Sequence, residues 1–201
     1  MKDFGTVSDR EDSLHEAMQR ATKECDIVVT SGGVSMGELD LVKPYVEKNG
    51  KVFFGRLNMK PGKPTTFGQI NRALVFALPG NPVSAFVTAH LFLVTSAKVL
   101  AGQHDCYDWQ SMNVQLIPRN VKVDPERPEY HRTVAVQDLQ TGKVFAFSTG
   151  SQMSSRLLSA RNANSFVILP KGTPEVPVYH SSGQTKALII GPLVQKSSKE
   201  V

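Results

Sequence analysis

The chain has 201 residues, 40% of them apolar, with a formal net charge of +5 at pH 7, which suits one large or two small globular domains and argues against disorder. No run is long and uncharged enough to cross a bilayer, since even Val83 to Leu100 is interrupted by His90 and Lys98, and the first residues do not read as a secretory leader. Cys25 and Cys106 are isolated, so neither a disulfide framework nor a cysteine-based zinc site is expected, and a reducing, cytoplasmic location fits.

In chain order, the acid-rich Ser8 to Asp12 opens a helix whose apolar face is Leu14, Met18, Ala21 and Cys25. Asp26 to Thr30 is short, apolar and β-branched, and predicts a strand buried on both faces of a parallel sheet. A glycine-rich stretch, Thr30 to Asp40, follows. Val42, Tyr45, Val46 and Asn49 predict a second helix with Pro44 in its first turn and Gly50 at its end. Lys51 to Phe54, Thr65 to Gly68 and Ala73 to Leu78 read as strands, the last two joined by an Asn71-Arg72 turn. Asn81 is a natural N-cap with Pro82 in the first helical position, and the helix from Val83 to Leu100, apolar nearly all round, is expected to be buried.

From His104 the pattern changes to short strands, Ser111 to Ile117, Arg132 to Leu139, Val144 to Ser148, Phe166 to Leu169 and Thr185 to Ile190, with one helix over Ser154 to Ala160. The expected organisation is an α/β layered domain over residues 1–103, a small β-rich domain over 104–194 and a mobile polar tail over 195–201.

The charge is uneven: residues 1–25 hold four Lys/Arg against six Asp/Glu, which leaves +7 for the rest. The basic residues are scattered without interleaved aromatics, so a small phosphorylated ligand or oxyanion suits them better than nucleic acid, an ordinary solubilising surface being the alternative. Three loops, each after an apolar strand, read as rims of one pocket. Ser31, Gly32, Gly33, Ser35 and Gly37 offer backbone N–H groups to phosphate, although the spacing is neither that of a Walker loop nor of a dinucleotide turn, and a tight turn alone would also use these glycines. Asp40 could hold Mg²⁺ beside bound phosphates or cap the next helix. Lys60 and Lys63, framed by prolines, form a stiff cationic pair suited to a dianion, and solvated surface lysines are the alternative. Gly80, Asn81 and Ser84 line the third loop, with Ser84 a hydrogen-bond donor rather than a nucleophile. Arg127 to Arg132 and Ser151 to Arg156 join guanidinium groups to hydroxyls.

Together Thr30 to Asp40, Met59-Lys60-Pro61-Gly62-Lys63-Pro64, Leu78-Pro79-Gly80-Asn81-Pro82-Val83-Ser84 and Gln152 to Leu157 resemble the MoeA/gephyrin/Cnx E-domain family, and Arg127-Pro128-Glu129-Tyr130-His131-Arg132 looks most like its eukaryotic members. The resemblance implies a molybdopterin-binding α/β domain, here lacking its first strand and helix, and a molybdenum insertase activity: transfer of molybdenum from molybdate to adenylylated molybdopterin, with a divalent metal such as Mg²⁺ and release of AMP. It implies that Ser35 and Asp40 lie at the pterin phosphate and metal, that Lys60, Lys63 and Pro64 lie on the molybdate side, and that Ser84 is a pocket serine. It places Arg132 and one serine of the Ser154/Ser155 pair near molybdate. Family members form homodimers that complete their sites with further subdomains, so inactivity of this chain alone is one alternative. A gephyrin-like scaffold that binds a receptor loop or cytoskeletal partner is another.

Overall fold

The computed structural model describes residues 1–33, 41–103 and 109–197. It divides into two compact units: residues 1–57 with 62–89, and residues 58–61 with those from His90 onward. The division differs from the expected boundary near residue 103 because the four residues 58–61 and the last turns of the long helix make their contacts in the second unit.

The first unit is a mixed four-stranded sheet with helices on it. Its elements are α1 (Glu11–Glu24), β1 (Ile27–Ser31), α2 (Val42–Asn49), β2 (Lys51–Gly55), β3 (Thr66–Ile70), β4 (Ala73–Leu78) and α3 (Pro82–Thr88). The strand order is β1-β4-β3-β2, with β1 and β4 parallel and the other pairs antiparallel. Leu14, Met18 and Ala21 of α1 pack with Val42 and Val46 of α2 on Val28, Ile70, Ala73, Val75 and Ala77. The predicted spacing of the α1 face is thereby realised. Pro44 sits in the first turn of α2, where its missing N–H costs nothing, and Asn71, at φ 54°, makes the β3–β4 turn. The expectation that β1 is buried on both faces is corrected: β1 is an edge strand and Val29 is 46% exposed. Elsewhere in the sheet Phe76 is buried and stacks on Phe67 with ring centroids 4.6 Å apart.

Helical backbone continues from α3 through a wider π-helical turn, Ala89–Leu93, into α4 (Val94–Leu100). Pro82–Leu100 is long and apolar enough to cross a membrane by length and composition alone, so His90 and Lys98 interrupt the run less than the sequence suggested. The expected burial holds only at the start: Val83, Val87 and Leu91 are buried, whereas α4 has no buried residue and Val94 and Leu100 are exposed. α4 carries Thr95, Ser96 and Lys98 among its seven residues, so the run is less apolar there than in its first half. Trp109 Nε1 donates to the Leu91 carbonyl at 3.0 Å.

The strands of the second unit are β5 (Ser111–Ile117), β6 (Asn120–Lys122), β7 (Glu129–Asp138), β8 (Val144–Ser148), β9 (Ser165–Leu169), β10 (Val178–His180), β11 (Thr185–Ile189) and β12 (Val194–Lys196). β7, β8, β5, β11 and β9 form a closed ring, because ten-residue β7 pairs with β8 on one side and β9 on the other. Closure removes the sheet edges and encloses a core of Val114, Leu116, Ala135, Ala146, Val167, Leu169 and Ala187. The five predicted strands are all present. Three short ones, β6, β10 and β12, carry too little alternation to stand out, and β12 pairs Gln195 and Lys196 with Gln137 and Asp138 where a mobile tail was expected. The helix expected over Ser154 to Ala160 is instead one 3-10 turn, Leu157–Ser159, next to polar turns.

Candidate functional site

In the first unit, β1 and β4 run parallel in register Ser31 to Leu78, so the loops after them leave from the same end of the sheet. Gly32 donates its N–H to the Leu78 carbonyl at 3.1 Å, and Gly32 and Gly33 adopt φ of +90° and +67°, which L side chains rarely adopt. The loops approach so closely that a Cβ on Gly80 would lie 3.4 Å from Gly32 Cα. β3 is antiparallel to β4 with Thr66 opposite Ala77, which brings Lys63 and Pro64 to this same end. Ligands of open α/β sheets bind outside the carboxyl ends of parallel strands, and Ser31, Gly32, Gly33, Lys63, Pro64, Gly80 and Asn81 all gather there. Asn81 Oδ1 accepts from Val83 N at 3.3 Å, the expected N-cap, and Ser84 is buried in the first turn of α3. Ser35, Gly37 and Asp40 lie outside the described residues, and the N-cap position of α2 is Leu41.

Lys60 belongs to the second unit, Lys63 to the first. The Lys60 backbone is sewn to the start of β7: its N–H donates to the Pro128 carbonyl at 2.9 Å and its carbonyl accepts from Tyr130 N at 2.8 Å. Its ammonium lies 3.0 Å from Glu129 Oε2 and 3.5 Å from Asp124 Oδ2. Lys60 is therefore not the open cation that the sequence suggested, because two carboxylates in a poorly solvated place require its charge. Arg127 Nη2 also reaches Asp124 at 3.5 Å. Burial pushes the Glu129 carboxyl up, but hydrogen bonds from His131 and Lys60 with the Lys60 charge outweigh it and hold the group below the usual range. Asp124 is held low in the same way, burial being outweighed by the N–H groups of Glu126 and Arg127 and by the Lys60 and Arg127 charges.

Arg132, three residues further along β7, is fully buried. Its Nε donates to Ser159 Oγ at 3.2 Å, and Ser159 Oγ donates to the Arg156 carbonyl at 2.7 Å. Nη1 and Nη2 have no hydrogen-bond partner among the described residues. Burial pulls this guanidinium down to about 10, with the Glu129 charge opposing the drop. A buried cation with four unspent N–H donors matches a planar or tetrahedral oxyanion. Of the predicted serines, Ser154 is half-buried and Ser155 exposed, and the serine that meets Arg132 is Ser159. Sequence reasoning missed Ser159, Gln152 and Glu129 as site components. Ser159 lies four or five residues beyond the quoted pair, and the non-helical turn is what folds it inward.

Metal ligation was expected at Asp40. Asp40 lies outside the described residues, and among those described no group of three or more His, Cys, Asp or Glu side chains is placed to hold an ion.

The α/β unit with its glycine-lined edge and the closed β-barrel with its buried arginine correspond to a molybdopterin-binding domain followed by a MoeA-type C-terminal domain. Residues 1–99 match the probable molybdopterin binding domain and residues 117–181 the MoeA C-terminal region (domain IV). The chain belongs to the MoeA/gephyrin family. It is 41% identical to a gephyrin of Dictyostelium discoideum, over 94% of this chain and 29% of that protein. It is 33% identical to a molybdopterin molybdenumtransferase of Haemophilus influenzae, over 91% of this chain and 44% of that one. The fold matches a crystal structure of a molybdopterin biosynthesis MoeA protein from Pyrococcus horikosii with TM-score 0.69 and 24% identity, covering 94% of this chain and 43% of the other. The chain thus spans less than half the length of these relatives.

Proposed function

We propose that this chain is part of a molybdenum insertase, which transfers molybdenum from molybdate to adenylylated molybdopterin with release of AMP, as a cytoplasmic homodimer that uses Mg²⁺. The observation that carries the oxyanion side is Arg132, a fully buried cation with both Nη nitrogens unpartnered among the described residues. Such a group is costly to fold around unless an anion offsets it, and molybdate is a tetrahedral dianion with acceptors at hydrogen-bond spacing. The glycine edge of the first unit, Ser31 to Gly33 with Gly80, Asn81 and Ser84, takes the pterin phosphate through backbone N–H groups, and Lys63 and Pro64 border it. The residues bind and orient: guanidinium donors fix the oxyanion, and the glycines allow close backbone approach to the phosphate.

The test is isothermal titration of the chain with molybdate and, separately, with molybdopterin. Saturable binding of both is expected, and Arg132→Lys should weaken only molybdate, since an ammonium cannot reproduce the guanidinium fork. Failure of wild-type chain to bind either ligand overturns the reading.

A further inference from the structure

We propose that Lys60 is a positioning residue that holds Arg132 through a hydrogen-bonded relay, not a residue that touches the oxyanion; this rests on the assignment of the oxyanion to Arg132. The relay begins at Lys60 Nζ, 3.0 Å from Glu129 Oε2. The other carboxylate oxygen, Oε1, lies 2.8 Å from His131 Nδ1, and His131 Nε2 lies 2.8 Å from Ser148 Oγ. Ser148 Oγ also accepts from Gly150 N at 3.1 Å. One proton arrangement satisfies every member: Ser148 gives its hydrogen to Nε2, so Nδ1 carries the imidazole hydrogen and donates it to Glu129. Glu129, His131 and Lys60 thus spend their polar groups on one another.

The relay ends on the turn that clamps Arg132. Gly150, at φ +89°, gives its carbonyl to Gln152 Nε2 at 2.9 Å. Gln152 Oε1 accepts from Arg132 N at 2.7 Å, and Thr149 N donates to the Arg132 carbonyl at 3.2 Å. Lys60 is the charge that keeps Glu129 ionised at the far end. Glu129 and His131 lie two residues apart and so share one face of β7, whereas Arg132 projects from the other, which is why Lys60 acts on it through the backbone turn.

The local charges balance, Lys60 and Arg127 against Asp124 and Glu129, so removing one lysine leaves a buried carboxylate uncompensated while removing the pair does not. Three variants test this by molybdate titration and thermal melting. Lys60→Met should raise the molybdate Kd about tenfold and lower the melting temperature, and Lys60→Met with Glu129→Gln should bring both back to within about threefold of wild type for Kd, as expected of coupled sites. His131→Asn keeps a donor toward Glu129 but cannot reach Ser148, and should weaken molybdate with Lys60 and the net charge intact. A double variant with restored melting temperature but a Kd still as weak as Lys60→Met makes Lys60 a direct ligand and overturns the proposal, as does an unchanged Kd in His131→Asn. Absence of molybdate binding by the wild type instead removes the functional reading on which it rests.

Discussion

Gln152 bonds both backbone polar groups of Arg132: its Oε1 accepts from the Arg132 N–H at 2.7 Å and its Nε2 donates to the Arg132 carbonyl at 3.3 Å. β8 ends at Ser148, opposite Thr133, so β7 has run past its strand partner at Arg132. The primary amide supplies the acceptor for the Arg132 N–H and joins the Thr149 N–H at the Arg132 carbonyl. Replacement by glutamate keeps the acceptor for the N–H but sets a carboxylate oxygen against the carbonyls of Arg132 and Gly150. Gln152→Glu should therefore cost about 1–3 kcal/mol, the range for a buried polar group left mispaired, measured by urea unfolding.

Among the described residues, Ser159 is the one side chain hydrogen-bonded to the buried guanidinium, through Nε. Ser159→Ala leaves that donor unpaired and releases the Arg156 carbonyl. A loss of about 1.5–3 kcal/mol is expected, the value for hydrogen bonds to charged groups. Molybdate titration should show weakened binding, because the guanidinium loses its side-chain anchor.

How much of this was legible in the chain depends on whether local or distant partners decide. The faces of α1 and α2, the Asn81 cap and the Asn71 turn follow from spacing and side-chain chemistry within a few residues, and they appear where expected. The exposure of Val29 and of α4 depends on which elements lie alongside, and a run of apolar residues does not carry that information. At the site, the glycine edge was readable because only glycine adopts its backbone conformations readily. The pairing of Lys60 with Glu129 was not, since 69 positions separate them and an isolated parallel backbone bridge to the start of β7 brings them together. Ser159 was hidden by a wrong local expectation, a helix where the chain makes a 3-10 turn.

Glu129 and Asp124 both titrate below their ordinary values in the folded chain. A carboxyl with a depressed folded pKa binds fewer protons folded than unfolded, so it stabilises above the unfolded value and that contribution is lost as pH falls through the folded value. The window lies below the ordinary glutamate value of 4.5. At pH 7 Glu129→Gln should melt below wild type, and the gap should narrow steadily below that value. A gap independent of pH between 7 and 3 would contradict the charge-based account.

Gly50 follows α2 and precedes β2, and a Cβ there would lie 2.0 Å from the Gln69 carbonyl oxygen and 2.9 Å from Ile70 Cγ1. The first obstacle is backbone inside a paired strand, which cannot swing away as a flexible side chain can. Gly50→Ala should destabilise the first unit by about 1–3 kcal/mol, the overpacking range, toward its upper end. Differential hydrogen exchange should show the loss of protection concentrated on β2 and β3.

Arg132 separates stability from function. Its guanidinium is pulled down to about 10 by burial, so the folded chain holds this proton less tightly than the unfolded chain does. A base with a depressed folded pKa costs stability wherever it is charged in both states, which includes neutral pH, and the shift corresponds to roughly 3 kcal/mol as an upper bound. Arg132→Met preserves much of the side-chain length and removes the buried charge, while Ser159 keeps its bond to the Arg156 carbonyl. The ligand-free variant should therefore melt above wild type. Adding molybdate should raise the melting temperature of wild type by mass action and leave that of the variant unchanged, so the two curves approach or cross at saturating anion. A variant that melts below wild type without ligand would mean that the guanidinium packs more than it costs, and equal molybdate responses would remove Arg132 from oxyanion recognition.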